Sequence, residues 1–283
     1  MVTELRAGPF RVRGVSLAGM YTALQVPELG ILLDCGLPLR SLARTDHVFL
    51  SHTHADHAGG VAALLGIRTL IGKGPATIYL PAQREAELRE LLDVATRFHH
   101  AHLDFRLVPM VEGVAALVRG GLWVRPFRTH HSAPSLGYAF FRKVSKLRPE
   151  HRGLPREEIA RLRVEGAPGL FDEAEHLELA YATDTLVDAL DASPWVYGAR
   201  VLILECTYAS SSRTAADARE RGHLHLDELC ARADRFQNEA IVLMHFSQIH
   251  RPSEIRRLLQ ERLPPSLRDR VVPFVPGGDE WFG

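Results

Sequence analysis

A chain of 283 residues, 46% hydrophobic and with 34 basic against 34 acidic side chains, can bury one or two cores and carries no net charge. That balance excludes a protein that holds nucleic acid through a global basic field, so any such contact has to come from a local patch. Three widely spaced cysteines, Cys35, Cys206 and Cys230, with no CxxC pair, exclude a disulfide framework. All three are expected to be buried and inert in a reducing compartment, and with no signal segment and no apolar run of membrane-spanning length, a cytoplasmic protein away from the membrane is expected.

In chain order, residues 10–12, 15–17 and 23–26 read as short strands separated by glycine turns, and Ile31-Leu32-Leu33 as a buried strand that stops at Asp34. Val48-Phe49-Leu50 then runs into Ser51-His52-Thr53-His54-Ala55-Asp56-His57-Ala58-Gly59-Gly60, three histidines and an aspartate in six positions. Imidazole and carboxylate together suit zinc or a similar ion, and the HxHxDH spacing offers two sets of ligands. Residues 83–98 have helical spacing. His99, His100 and His102 after them lack a preceding strand and a carboxylate partner, and are read as surface histidines.

Residues 122–127 form a strand leading to His130-His131, neighbours that point to opposite faces of an extended segment, so that one of the two binds metal. Three further apolar runs stop at polar residues: 179–182 at Asp184, 201–204 at Glu205, and Ala240–Met244 at His245. A metal site built from distant residues needs such convergence at one sheet edge. Residues 226–236 and 253–263 read as helices. Cys206 follows Glu205 and, by strand alternation, faces away from it. Strands followed by helices in both halves fit two sheets packed face to face and flanked by helices, with no repeat visible in the sequence itself.

HxHxDH, the later His, the Asp-Thr pair and the final His245-Phe246-Ser247 resemble, in order, the signature of the metallo-β-lactamase superfamily. Within it the chain looks like ribonuclease Z, closest to the short plant form, through Val26-Pro27-Glu28-Leu29, Arg125-Pro126-Phe127 with Thr129-His130-His131, Pro134-Ser135 with Gly137-Tyr138, and Gly222-His223 with His225. The resemblance implies an α/β fold, a four-layer αββα sandwich, as one domain over residues 1–283. It implies two zinc ions per chain, with manganese or iron(II) as alternatives. His52, His54 and His131 would hold one ion, Asp56, His57 and His245 the other, and Asp184 would bridge. Asp34 would support these ligands by hydrogen bonds. Glu205 would position His223, the proton donor. A homodimer acting on precursor tRNA is implied as well.

The implied reaction is hydrolysis of the phosphodiester that joins the 3′ trailer to precursor tRNA, leaving a 3′ hydroxyl. Two cations offset charge on the phosphoryl oxygens, Asp56 orients the attacking water or accepts its proton, and His223 protonates the departing 3′ oxygen. The segment at about 142–172 stands where ribonuclease Z carries an arm that grips tRNA. Residues 142–163 hold eight basic side chains, Arg142, Lys143, Lys146, Arg148, Arg152, Arg156, Arg161 and Arg163, against Glu150, Glu157 and Glu158. The first six are expected to contact phosphates. The resemblance breaks after Ser247, where Gln248-Ile249-His250 replaces a segment that ordinarily carries Arg and Tyr. The alternatives are a hydrolase of the same fold acting on a small ester, lactone, thioester or phosphodiester, and a metal-bound RNA-binding or scaffold protein without turnover.

Overall fold

Runs of β-branched and long apolar residues become strands, and their pairing reveals a symmetry that the sequence conceals. The computed structural model describes residues 2–100 and 102–281. The first sheet takes β1 (Thr3–Ala7), β2 (Phe10–Leu17), β3 (Tyr21–Val26), β4 (Ile31–Leu33), β5 (His47–Phe49), β6 (Ala76–Pro81) and β7 (Phe105–Met110) in chain order. The second takes β8 (Ala116–Arg119), β9 (Leu122–Arg128), β10 (Leu136–Leu147), β11 (Phe171–Ala182), β12 (Val201–Glu205), β13 (Ala240–Met244) and β14 (Val271–Pro273). In each sheet the first four strands pair antiparallel and the last three continue parallel. The two halves therefore share one topology despite the absence of a sequence repeat.

The helices are α1 (Ala55–Ala58), α2 (Val61–Leu70), α3 (Glu85–His99), α4 (Arg156–Val164), α5 (Asp188–Ala192), α6 (Ala215–Glu220), α7 (Leu226–Cys230), α8 (Pro252–Arg262) and α9 (Pro265–Arg268). Strand alternation sorts the apolar side chains into three cores. Between the sheets lie Leu24, Ile31, Leu33, Phe49, Tyr138, Phe140, Tyr181, Ile203 and Val242. The other faces pack on helices: Leu32, Val48 and Ile78 against Leu64, Leu65, Leu88 and Leu92 on one side, and Leu202, Leu204 and Leu243 against Leu226, Leu229, Ile255 and Leu259 on the other. This is the expected four-layer α/β sandwich.

Two expectations change in detail. Residues 10–17 form one strand where two were expected, because Gly14 carries the strand through without a turn: a Cβ there would stand 1.9 Å from the carbonyl oxygen of Ala23. The expected helix over 226–236 breaks into α7 and a 3-10 turn at Ala233–Arg235. Between them Arg232 leaves helical geometry and puts its guanidinium on Asp191 at 2.6 Å.

Beyond Arg142 and Leu177, β10 and β11 have only each other as partners, pairing from Lys143 with Glu175 out to Leu147 with Phe171, with α4 at the tip. The segment expected to be basic is thus the outgoing side of a hairpin whose return strand is acidic. Over residues 142–178 the eight basic side chains face eight acidic ones, including Asp172, Glu173, Glu175 and Glu178. Arg148 pairs with Asp172 at 2.6 Å and Arg142 with Glu178 at 3.7 Å, while Lys143 lies over the Trp123 ring at 4.5 Å. Lys146, Arg152 and Arg156 form no ion pair among the described residues.

Gly14→Ala is expected to force β2 and β3 apart and to cost roughly 2–4 kcal/mol of stability, read as a lower urea midpoint. An unchanged midpoint would contradict this account of the close approach.

Candidate metal centre

The polar ends of β4, β5, β11, β12 and β13 gather at one edge of the sandwich, and the backbone turns sharply there to aim them. Four non-glycine residues among those described have left-handed φ. Three are Asp34 (φ 57), Asp184 (φ 45) and His245 (φ 59), all at the ends of these strands. Asp and His tolerate this region better than β-branched residues, yet it still costs about 1–3 kcal/mol at each site, and such strain collects where geometry serves a function.

The HxHxDH segment enters from β5. His52 and His54 lie on the turn before α1, and Asp56 and His57 on α1 itself. His54 occupies the N-cap position without making a side-chain cap bond. Its Nδ1 lies 3.1 Å from His52 Nε2 and 3.2 Å from His131 Nε2 instead, and Asp184 Oδ2 is 3.8 and 3.7 Å from the nitrogens of His52 and His131. A second group brings His57 Nε2 within 3.4 Å of Asp56 Oδ2, 3.3 Å of Asp184 Oδ1 and 3.2 Å of His245 Nε2. A tetrahedral ion with bonds of about 2.0–2.1 Å keeps its donors about 3.3 Å apart. Both groups are close to that spacing, and Asp184 gives one oxygen to each.

The remaining nitrogen of most of these histidines is already engaged, which fixes the donor atom. Nδ1 of His57 donates to Asp34 at 2.7 Å, and Nδ1 of His131 to the carbonyl of Gly222 at 3.3 Å. Nδ1 of His52 lies 3.0 Å from Ser51 Oγ, and Nδ1 of His245 lies 3.1 Å from Thr207 Oγ1. Of the neighbouring pair, His131 reaches the donor groups. His130 serves through its backbone, where its N–H donates to Thr185 Oγ1 at 2.9 Å.

Asp34 is wholly buried and accepts from Ser51 N (2.6 Å), Ser51 Oγ (2.8 Å), His57 and the Tyr181 hydroxyl (2.6 Å). Asp56 Oδ2 accepts from Gly19 N at 3.0 Å. Burial holds the His52 imidazole neutral, its pKa pushed down to about 2. Burial also works against charge on His57, but Asp184, Asp34 and Asp56 around it outweigh that and raise it well above the ordinary value. Three carboxylates converging on buried imidazoles make a site that a cation satisfies.

Behind the donors, Glu205 is fully buried. It accepts from Thr185 N (2.6 Å) and Thr207 Oγ1 (2.6 Å), and lies 3.1 Å from His223 Nδ1. Burial lowers the His223 pKa, but the carboxylate beside it prevails and brings it up to about 9. The His223 ring stands 5.5 Å from the rings of both His131 and His245, one from each donor group. Its place is set by the end of α6. There Gly222 N donates to Arg219 O at 3.0 Å and His223 N to Ala218 O at 3.0 Å, with Gly222 left-handed at φ 73. A Cβ on Gly222 would press on His131 at 2.9 Å.

Thr207, Tyr181, Ser51 and Gly19 escaped the sequence reading. Thr207 carried a signal, since it lies two residues after Glu205 and so on the same face of an extended segment. Tyr181 read as one more apolar strand residue. Cys206 points into the helix-side core as expected, Cys35 is buried, and Cys230 is only half-buried; all three are free. His99 and His100 end α3, and His102 does find a carboxylate, Asp104, at 2.8 Å on the surface. None of the three joins a donor group. Ile249, where an arginine was missed, is 53% exposed, and His250 hydrogen-bonds Ser210 Oγ at 2.7 Å.

Comparison with known proteins gives the family of the chain. The family described as the beta-lactamase superfamily domain matches residues 31–246, a span that contains every residue of the two donor groups. The chain belongs to that superfamily. It is similar to tRNase Z TRZ1 of Arabidopsis thaliana, at 32% identity over 95% of this chain and 96% of the relative, which places it among the ribonuclease Z members. Its fold is similar to that of human tRNase Z, short form (TM-score 0.57, 21% identity, 88% of this chain and 93% of that one). It is similar also to that of the metallo-beta-lactamase fold protein YhfI from Bacillus subtilis (TM-score 0.62, 16% identity, 98% and 96%). Among the described residues no helix is long and apolar enough to cross a membrane.

Asp34→Asn is expected to weaken metal binding about 10–100-fold, measured by chelator competition, because His57 loses its orienting acceptor. Tyr181→Phe, which removes one donor of the four, should weaken it less. Unchanged affinity in both variants would contradict the supporting role of Asp34.

Proposed function

We propose that this chain is a metal-dependent endoribonuclease that removes the 3′ trailer of precursor tRNA. The observation that carries the reading is the Glu205–His223 pair, set beside two complete donor groups in a chain that matches a tRNase Z along nearly its whole length. His52, His54, His131 and Asp184 would hold one ion, and Asp56, His57, Asp184 and His245 the other. Donors of this kind at this spacing suit zinc, with manganese or iron(II) as alternatives. Bound there, the ions would lower the pKa of water and offset charge on the phosphoryl oxygens.

The chain's own residues supply the rest. Asp56, steadied by the Gly19 amide, orients the attacking water and takes its proton. The nucleophile forms a bond to phosphorus as the bond to the 3′ oxygen breaks. His223 has Nδ1 engaged by Glu205 and Thr207, so Nε2 is the nitrogen left to protonate the departing oxygen. The products are tRNA with a 3′ hydroxyl and a trailer with a 5′ phosphate.

The reading takes the whole chain as one metallo-β-lactamase-fold domain bearing the β10–β11 arm, acting as a homodimer in the cytoplasm; its three free cysteines favour a reducing compartment. The neutral charge of the arm favours a second reading, a hydrolase of small esters or phosphodiesters. Under the first reading, the unpaired Arg152 and Arg156, with Lys146, contact RNA, while Arg142 and Lys143 shape the arm's base and Arg148 its outer end.

His223→Ala is expected to retain its metal and to lose about a hundred- to ten-thousand-fold in single-turnover cleavage of precursor tRNA. Loss of bound metal in that variant would make His223 a ligand instead. Reversing the charges of Arg152 and Arg156 should raise KM for precursor tRNA; indifference to that change, together with turnover of small esters, would favour the second reading.

A further inference from the structure

The loop that carries His131 has a cavity on each side, and the two differ in charge. One, of about 510 Å³, is bounded by Gln83, Glu112, Arg128 and residues 131–136. The other, of about 420 Å³, lies between Arg128, His131 and the α6 end at Arg219–Gly222. In this second cavity Arg219 is committed to Asp188 (2.9 Å) and Glu228 (2.6 Å). Arg128 and Arg221 are exposed and form no ion pair among the described residues, against a single carboxylate, Glu220. Arg128 thus stands between the two cavities, and Arg221 adds a second unpaired guanidinium on this side only. A planar guanidinium with free donors is suited to a phosphate diester.

The side matters. Gly222, on the wall of this cavity, immediately precedes His223 and receives the Nδ1 proton of His131. If His223 protonates the 3′ oxygen, as the proposed function has it, the nucleotide that keeps that oxygen lies on the His223 side of the scissile bond, and the trailer on the other. We propose that Arg128 and Arg221 together form a phosphate subsite for the RNA backbone 5′ of the cut, the acceptor end of the mature tRNA, with Arg221 the member that the trailer does not reach. This inference rests on the endoribonuclease reading. The trailer side has Arg128 beside the carboxylate of Glu112 in its lining and no second guanidinium, so the enzyme would grip the product that it releases with a 3′ hydroxyl more firmly than the 5′-phosphorylated fragment.

The test measures the affinity of wild type, Arg128→Ala/Arg221→Ala and Arg128→Lys/Arg221→Lys for two RNAs across a salt series. One RNA is mature tRNA ending at the discriminator nucleotide, and the other is a trailer oligonucleotide with a 5′ phosphate. Circular dichroism and bound metal serve as fold controls. Loss of both charges is expected to weaken mature tRNA binding and to reduce the slope of log Kd against log salt by about 1.5, with the lysine variant recovering most of the slope. Trailer affinity should fall less, through Arg128 alone. Unchanged mature tRNA affinity, or a loss for the trailer as large as that for mature tRNA, would overturn the inference while wild-type cleavage of precursor tRNA still stands. Wild type that neither cleaves nor prefers tRNA over an unrelated RNA of equal length would overturn the function reading, and the inference with it.

Discussion

A carboxylate shut off from water needs donors on its lone pairs, and Asp34 obtains them from both sheets. Ser51, at the end of β5, supplies an amide and a hydroxyl, α1 supplies His57, and Tyr181 reaches across from β11 in the second sheet. One buried charge thereby fixes the distance between the halves directly beneath the donor groups. It also settles which nitrogen of His57 faces the centre. Because a buried carboxylate left partly unsatisfied costs several kcal/mol, the arrangement is close to all-or-none. The left-handed backbone of Asp34 is the local cost of that placement.

The same logic recurs in the second half, one strand further along the shared topology. Glu205 does in the second half what Asp34 does in the first: it is buried at a strand end and accepts from Thr185, Thr207 and Leu224 as well as from His223. Asp34 faces a histidine of the donor groups, whereas Glu205 faces one that stands just outside them. Thr207 links the two functions, since its hydroxyl lies 2.6 Å from Glu205, 3.1 Å from His245 Nδ1 and 3.3 Å from His223 Nδ1. Ligand orientation and proton-donor placement thus share one hydroxyl.

Much of this was legible in the sequence because a buried strand announces itself as an apolar run, and the residue ending it must then be polar for a reason. Asp34, Asp184, Glu205 and His245 each follow such a run. What the runs could not locate were groups whose side chains look ordinary: Tyr181 reads as strand core, and Ser51 and Gly19 as turn residues. The duplicated topology was hidden because pairing depends on backbone hydrogen bonds, which many unrelated apolar patterns satisfy. The arm misled for a different reason. A window ending at residue 163 sees only the outgoing strand and the tip, whereas the acidic return strand, from Asp172 to Glu178, lies beside the basic one only after the hairpin closes.

The central claim is that the centre held by Asp34 and Asp184 cuts one phosphodiester of precursor tRNA. Mapping both ends produced from a precursor tRNA by metal-loaded wild type beside Asp56→Ala tests it most directly. A single cut after the discriminator nucleotide, leaving a 3′ hydroxyl and a 5′-phosphorylated trailer and abolished in the variant, is the predicted result. No cut by protein shown to hold its metal, or equal cutting by Asp56→Ala, would contradict it.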